Sequence, residues 1–363
     1  MVALDHAHGL FIEPHIGPAW TAILLSLGAH CAVMLFFVIS GYMITMSILG
    51  NIMRNGRFSF QEFLISRLVR IYPPLFYSIA ICILFLFCIY GFGLPGSTEN
   101  PYHIGAYPQM RDIYTLSSAD ILNALKMNDG LLLANGPLWS LFIEFWIYAV
   151  AGLTVFLLSA RRMVLKIAAG FFLFFCIGKL FEVNAHSGFY LGIWLSGALI
   201  AVFNRYAGWF KTIHWKTTAG LLVLTVLIGS LFPDLVLAGG RIFGVRENLM
   251  QFLIVAFWAS LALPTLSLHN GFLGRSLHRL GDCSYTLYIT HFPILLFVLS
   301  LYQYLVPISL MSSVVIAFVA LSTCVLISLL SAPFLEDKKM FSGLIEKSLL
   351  QVRAILIGWP RSR

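Results

Sequence analysis

The chain of 363 residues is 60% hydrophobic and only 10% charged, with a formal net charge of +8. An ordinary soluble domain carries roughly 25% charged residues, so this composition excludes a surface that faces water throughout. Apolar runs of about 18 residues or more recur, each long enough to cross a hydrocarbon core of about 30 Å, and together they predict an all-α polytopic transmembrane helical bundle.

Taken in order, Met1 to Leu4 read as the last turn of a span whose beginning is absent, with no basic leader or cleavage site ahead of it. Full spans are predicted at Ala29–Leu49, Tyr72–Phe92, Pro137–Ala160, Val164–Phe181, Gly188–Phe203, Trp215–Phe232, Leu249–Leu266, Ser284–Tyr304 and Val306–Leu330. The expectation is therefore nine full spans plus a truncated first helix. The longest loop, Gly91 to Gly136, is rich in turn formers, and a loop of that length usually has a use. Residues 1–335 make the transmembrane domain. Residues 336–363 form a basic tail, where apolar residues at helical spacing among Glu346, Lys347 and Arg353 predict an amphipathic helix lying on the inner leaflet. The six cysteines lie in or beside apolar spans without metal-type spacing and read as small buried hydrophobes.

The basic excess follows the loops rather than a nucleic-acid partner. With the segment ahead of Ala29 placed outside and sides alternating, 18 of the 23 lysines and arginines fall on the inner side. Only Arg111, Lys126, Lys179, Arg241 and Arg246 fall outside. This puts the C-terminus in the cytoplasm of a cell (plasma, inner) membrane protein, with the bilayer as its first partner.

Ionisable and polar residues at membrane depth are costly and mark function. Four stretches carry them. In NGPLWSLFIEFWIYAV, Glu144 lies two turns below a boundary set by Pro137, with Ser140 and Tyr148 at i−4 and i+4 on one face. At the N-terminus, His6 sits beside Asp5 and His8, with Glu13 and His15 following. A histidine near a carboxylate is suited to general-base work, since its ordinary pKa is about 6.5; by depth His6 shares a level with Glu144. A His6–His8 metal site has no further ligands spaced for it, and a solvated terminus is the plain alternative. In FSFQEFLISRLVRIYPP, Arg67 and Arg70 at i and i+3 suit phosphate capture, or simply anchor the inner side, before Tyr72, Pro73 and Pro74 redirect the chain into the membrane. In LGDCSYTLYITHFPILL, Ser284, Tyr288 and His291 form a polar stripe of the kind that lines a cavity, with Pro293 breaking the backbone beyond.

In the same order, LDHAHG, AVMLFFVISGYMIT, FLISRLVRIYP, PLWSLFIEFWIY and LGDCSYTLYITHFP closely resemble the membrane-bound acyltransferase-3 family, from the start of the chain to about Pro333. Gly41 in FFVISGY would permit close helix contact. The resemblance implies a ten-helix domain that moves an acyl group, usually acetyl, from acyl-coenzyme A to a hydroxyl, commonly of a cell-surface or exported carbohydrate. It implies no bound cofactor and no metal, with acyl-coenzyme A as co-substrate. By motif, His6 matches the essential histidine, Arg67 and Arg70 the coenzyme A-linked pair, and Glu144 the acid of S-x-x-E. The family's arginine upstream of the histidine has no counterpart here, and its late Glu-x-Pro appears as SAPFLED.

These residues give an expected mechanism. Coenzyme A phosphates dock on Arg67 and Arg70, and the pantetheine arm passes Ser284, Tyr288 and His291. His6, oriented by Glu144 or Asp5, takes the hydroxyl proton, while Trp139 or Ser140 steadies the oxyanion. A transporter and a non-catalytic scaffold are the rival classes. The first calls for paired inverted repeats, which are not apparent; the second is expected if the short N-terminus is genuine.

Overall fold

The structure, a computed structural model, describes residues 1–17, 20–103, 113–128, 131–184, 186–207 and 272–337, with short pieces between 216 and 259 and residues 341 and 343. Every element among the described residues is helical. A short α1 (Val2–Ala7) passes through a π turn at His8–Ile12 into α2 (Glu13–Ile16), which Gly17 ends at a φ of +70°. The long α3 (Trp20–Asn55) and α4 (Phe60–Gly91) come next. After a loop containing α5 (Ser118–Leu125), α6 (Leu132–Asn135) and a tight turn lead into α7 (Trp139–Ser159). Then come α8 (Met163–Val183), α9 (Ser187–Ala207), α10 (Phe272–Leu305) and α11 (Leu310–Leu335).

Among the described residues 7 helices are long and apolar enough to cross a membrane. They correspond to seven of the expected spans. Most of the spans expected at Trp215–Phe232 and Leu249–Leu266, and nearly all of the basic tail, lie outside the described residues. The apolar exterior expected of such a bundle is plain on α8, where Phe171 and Phe174 are exposed.

One expectation is corrected. Tyr72, Pro73 and Pro74 do not start a new span, because α4 runs through both prolines. Each proline withholds the N–H that would reach the carbonyl four residues back, at Val69 and Arg70. Neighbouring helices make such a break tolerable within a bundle; α7 and α10 both pack against α4. The helix actually starts at the basic end of the molecule. Ser59 caps it by accepting from the Glu62 N–H at 3.4 Å, and Asn51 pins the turn by accepting from the Ser59 N–H at 2.8 Å.

Two features set the helix arrangement. A Cβ on Gly41 would stand 2.0 Å from the Trp194 carbonyl oxygen, and one on Gly197 would stand 1.9 Å from that of Val38. Hydrogen atoms there let α3 and α9 touch backbone to backbone, the small-residue packing used where apolar burial gives no preference between lipid and protein. The second feature is Pro293 within α10. It leaves the Ile289 carbonyl without its helical donor. Ser78 Oγ donates to that oxygen at 2.9 Å and Asn135 Nδ2 at 2.7 Å, so α4 and α6 are tied to α10 at the break.

The long loop folds back into the bundle. Tyr72 donates to the Leu125 carbonyl at 3.2 Å, and Trp146 Nε1 donates to that of Met127 at 2.9 Å. These bonds hold the end of α5 part-way down α4 and α7, where Met127 takes a φ of +56°. At the opposite end from the arginines, Tyr114 is buried and donates to the Cys82 carbonyl at 3.2 Å. Burial pushes its phenol above the ordinary range, which keeps it a donor.

Candidate active site

A file of polar side chains runs along α10 from the basic end towards the N-terminal helix. Positions 285, 288 and 291 fall on successive turns, so they stack along the axis. At the basic end of the file the Arg70 guanidinium lies 5.8 Å from the centre of the Tyr285 ring. Thr286 beside it donates to Glu336 Oε1 at 2.7 Å, bringing the end of α11 to this level. Arg67 lies over the rings of Phe63 and Tyr148, at 5.6 and 5.9 Å, and donates to Ser47 Oγ at 3.3 Å. The expected arginine pair therefore fans out, Arg67 towards α3 and α7 and Arg70 towards α10. A small cavity of about 50 Å³ beside Arg67 is walled by Phe60, Phe63, Phe145 and Tyr148.

The next level belongs to Glu144, which is 1% exposed. Its Oε1 accepts from Ser40 Oγ at 3.0 Å and from the Tyr148 hydroxyl. Trp194 Nε1 donates to Ser40 Oγ at 3.3 Å. Both arginines lie within electrostatic range of this carboxyl group. Of the two expected partners for His6, Glu144 or Asp5, Glu144 is occupied elsewhere: its hydrogen bonds come from a serine and a tyrosine. The reason is register. Glu144 is one turn nearer the basic end than Ser140, and it is Ser140 that meets the next level of α10.

There, Ser140 Oγ and the Tyr288 hydroxyl lie 2.6 Å apart, and Tyr288 donates to the Pro137 carbonyl at 2.8 Å. Trp139 is turned to the ring of Tyr190, at 5.2 Å. One turn further, His291 is fully buried. Its Nδ1 lies 2.7 Å from the Tyr288 carbonyl. A carbonyl only accepts, so Nδ1 carries the hydrogen and Nε2 carries a lone pair. His6 stacks on this ring, with centroids 5.4 Å apart and planes at 23°, and meets the Phe292 edge at 5.1 Å. His8 instead turns to Thr21, 3.4 Å away, and His15 to Ser313, 2.7 Å away, so the two histidines of H-x-H do not converge.

Of the residues singled out from sequence, His6, His291, Tyr288, Ser140, Glu144, Tyr148, Arg67 and Arg70 fall in or beside this file. Ser284 is exposed at the start of its span. Sequence reasoning missed Ser40, Tyr285, Thr286 and Asn135. Ser40 and Tyr285 lie inside quoted motifs, but nothing in their spacing marks them; their partners are on helices more than 100 residues away.

The helices and the polar file through them define a multi-pass membrane protein with a reactive set of side chains in its interior. The chain belongs to the acyltransferase-3 family, whose acyltransferase domain model matches residues 1–331, and it is a membrane acyltransferase. Comparison with curated proteins and with solved structures gives no match.

Proposed function

We propose that the protein transfers an acyl group, acetyl by the family resemblance, from acyl-coenzyme A on the cytoplasmic side to a hydroxyl of a cell-surface or exported carbohydrate. The observation that carries the reading is the file itself: guanidinium groups at one end, imidazoles about 9 Å further along α10 by helical rise, and hydroxyl groups between. Arg67 and Arg70 receive the coenzyme A phosphates, with Arg70 drawn from its tyrosine face to the anion. The thin arm then runs along α10 past Tyr288.

His6 acts as general base. As the acceptor oxygen attacks the thioester carbonyl its proton passes to the imidazole; as the tetrahedral intermediate collapses, the C–S bond breaks and the thiolate takes that proton back. Base catalysis of this kind supplies about 10² to 10⁴-fold, and positioning supplies a further share. Ser140, whose hydroxyl hydrogen goes to Tyr288 while Tyr288 donates to the Pro137 carbonyl, turns that hydrogen to the developing oxyanion. Glu144 works at the other end, as a positioning residue that holds Tyr148 under Arg67 and balances the arginines while the donor site is empty. The loop charges support a cytoplasmic C-terminus, and the chain is placed in the inner (plasma) membrane as part of the same proposal.

The test is transfer of radiolabelled acetyl from acetyl-coenzyme A to a panel of methyl hexosides by protein reconstituted in vesicles. Wild type should label at least one sugar, and His6→Ala should lower the rate about 10² to 10⁴-fold while remaining folded. Labelling that survives His6→Ala unchanged would remove the base from the scheme. Sugar flux without thiol release would point to transport.

A further inference from the structure

We propose that His291 binds the carbohydrate acceptor, its Nε2 accepting the hydrogen of a second hydroxyl next to the one that is acylated. The inference rests on the acyltransfer reading above and names the substrate feature that the site demands. His291 is fully buried in the middle of a span. Its Nδ1–H is committed to the Tyr288 carbonyl at 2.7 Å, with the Leu287 carbonyl 3.2 Å away, and this fixes the tautomer. The remaining nitrogen, Nε2, is buried with no hydrogen-bond partner among the described residues. An acceptor left so inside a protein is costly, and nearly all buried polar atoms are satisfied by something. A hydroxyl has the hydrogen it calls for.

The position beside His6 narrows the ligand. The two rings are stacked at 5.4 Å, so a molecule that presents one hydroxyl to His6 presents its neighbouring groups to the ring alongside. A simple alcohol has nothing to offer there. A sugar, with hydroxyls on adjacent carbons, does. His291 is also held more firmly than a loop residue would be: it lies on α10, next to the proline break that Ser78 and Asn135 tie down, and its carbonyl accepts from Cys324 Sγ at 3.6 Å. A fixed acceptor of known tautomer is what discrimination between hydroxylated analogues needs, because the analogue lacking the hydrogen leaves the lone pair stranded.

The experiment uses the vesicle assay with acetyl-coenzyme A at saturation and the best-labelled methyl hexoside of the panel. Its monodeoxy analogues are run beside it, against wild type, His291→Phe and His291→Gln. Wild type should show one hydroxyl, adjacent to the acylated one, whose removal raises the acceptor KM about 10- to 100-fold. His291→Phe should raise the KM for the full sugar by a similar factor, leave the acetyl-coenzyme A KM within about twofold, and no longer distinguish that deoxy sugar. His291→Gln, whose Oε1 can stand in for Nε2 but cannot act as a base, should recover most of the loss. If no neighbouring hydroxyl matters to wild type, the inference is overturned without recourse to any variant. It is equally overturned if His291→Gln keeps the wild-type KM but loses turnover as fully as His6→Ala, since proton transfer rather than binding would then be the role. A wild-type protein that labels no sugar sinks the acyltransfer reading and this inference with it.

Discussion

At the scale of single residues the buried carboxyl group is the sharpest case. Glu144 accepts from both Ser40 and Tyr148 in the protein interior. Glu144→Gln keeps an oxygen for those donors, whereas in Glu144→Leu one of the two hydroxyls can turn to the other, 2.9 Å away, and the second is left to find a new acceptor, at a cost of about 1–3 kcal/mol. Thermal melting should therefore place Glu144→Gln, which loses the charge facing the arginines but keeps the acceptor, between wild type and Glu144→Leu; equal melting of the two variants would show that the hydrogen bonds do not carry stability. Arg67 gives the matching case at the donor end. At the proposed donor site, Arg67→Ala removes a charge-assisted phosphate contact and should raise the acetyl-coenzyme A KM about tenfold or more. Arg67→Lys should recover only part of that, since an ammonium lacks the planar fork. An unchanged donor KM in Arg67→Ala would take coenzyme A away from this arginine. His8→Ala and His15→Ala serve as controls: their rings turn to Thr21 and Ser313 rather than to the file, and acyl transfer should stay within a few fold of wild type.

At the scale of helices, two predictions follow from how the backbone is satisfied and spaced. A methyl group on Gly41 or Gly197 would collide with a main-chain oxygen, which cannot swing aside as a side chain can. Each Gly→Ala change should cost about 1–3 kcal/mol, as overpacking does, and should lower the melting temperature by forcing α3 and α9 apart; two unaffected variants would mean that the helices are not in backbone contact. Pro293 calls for a double-mutant cycle. Pro293→Ala returns an N–H to the Ile289 carbonyl, so Ser78→Ala should cost less in that background than in wild type. Equal costs would separate the serine from the proline break. These elements also show what the sequence disclosed. Span positions were legible because twenty apolar residues have few other readings, and the Gly41 contact was legible because glycine in FFVISGY has few other uses. The continuity of α4 through Pro73 and Pro74 was not, because a proline reports a lost donor and not whether neighbours will tolerate it. Tyr148 beside Glu144 was legible at i+4, whereas Ser40 was not, because it comes from a helix far away in the chain. Distance along the chain does not resolve depth to better than about a turn, and one turn sets His6 beside His291 rather than beside Glu144.

At the scale of the whole molecule direction is decisive, because a file with arginines at one end and imidazoles at the other transfers acyl groups outward only if the arginines face the cytoplasm. The proposed orientation takes that direction from the loop charges: Arg54 and Arg57 close the turn between α3 and α4, with Arg54 paired to Glu62, on the same end that carries Arg161, Arg162 and Arg205. The opposite end holds the loop after α4, where Thr98 and Glu99 are exposed. Reporter cysteines can read the orientation, since the native cysteines are buried or half-buried within the helices. In intact cells Thr98→Cys should react with a membrane-impermeant maleimide, and Arg57→Cys should react only after the membrane is opened. The reverse pattern would set the imidazoles towards the cytoplasm and the arginines outside. Cytoplasmic acyl-coenzyme A would then meet the wrong end of the file, and export of the acyl group by this route would be ruled out even if every residue-level prediction held.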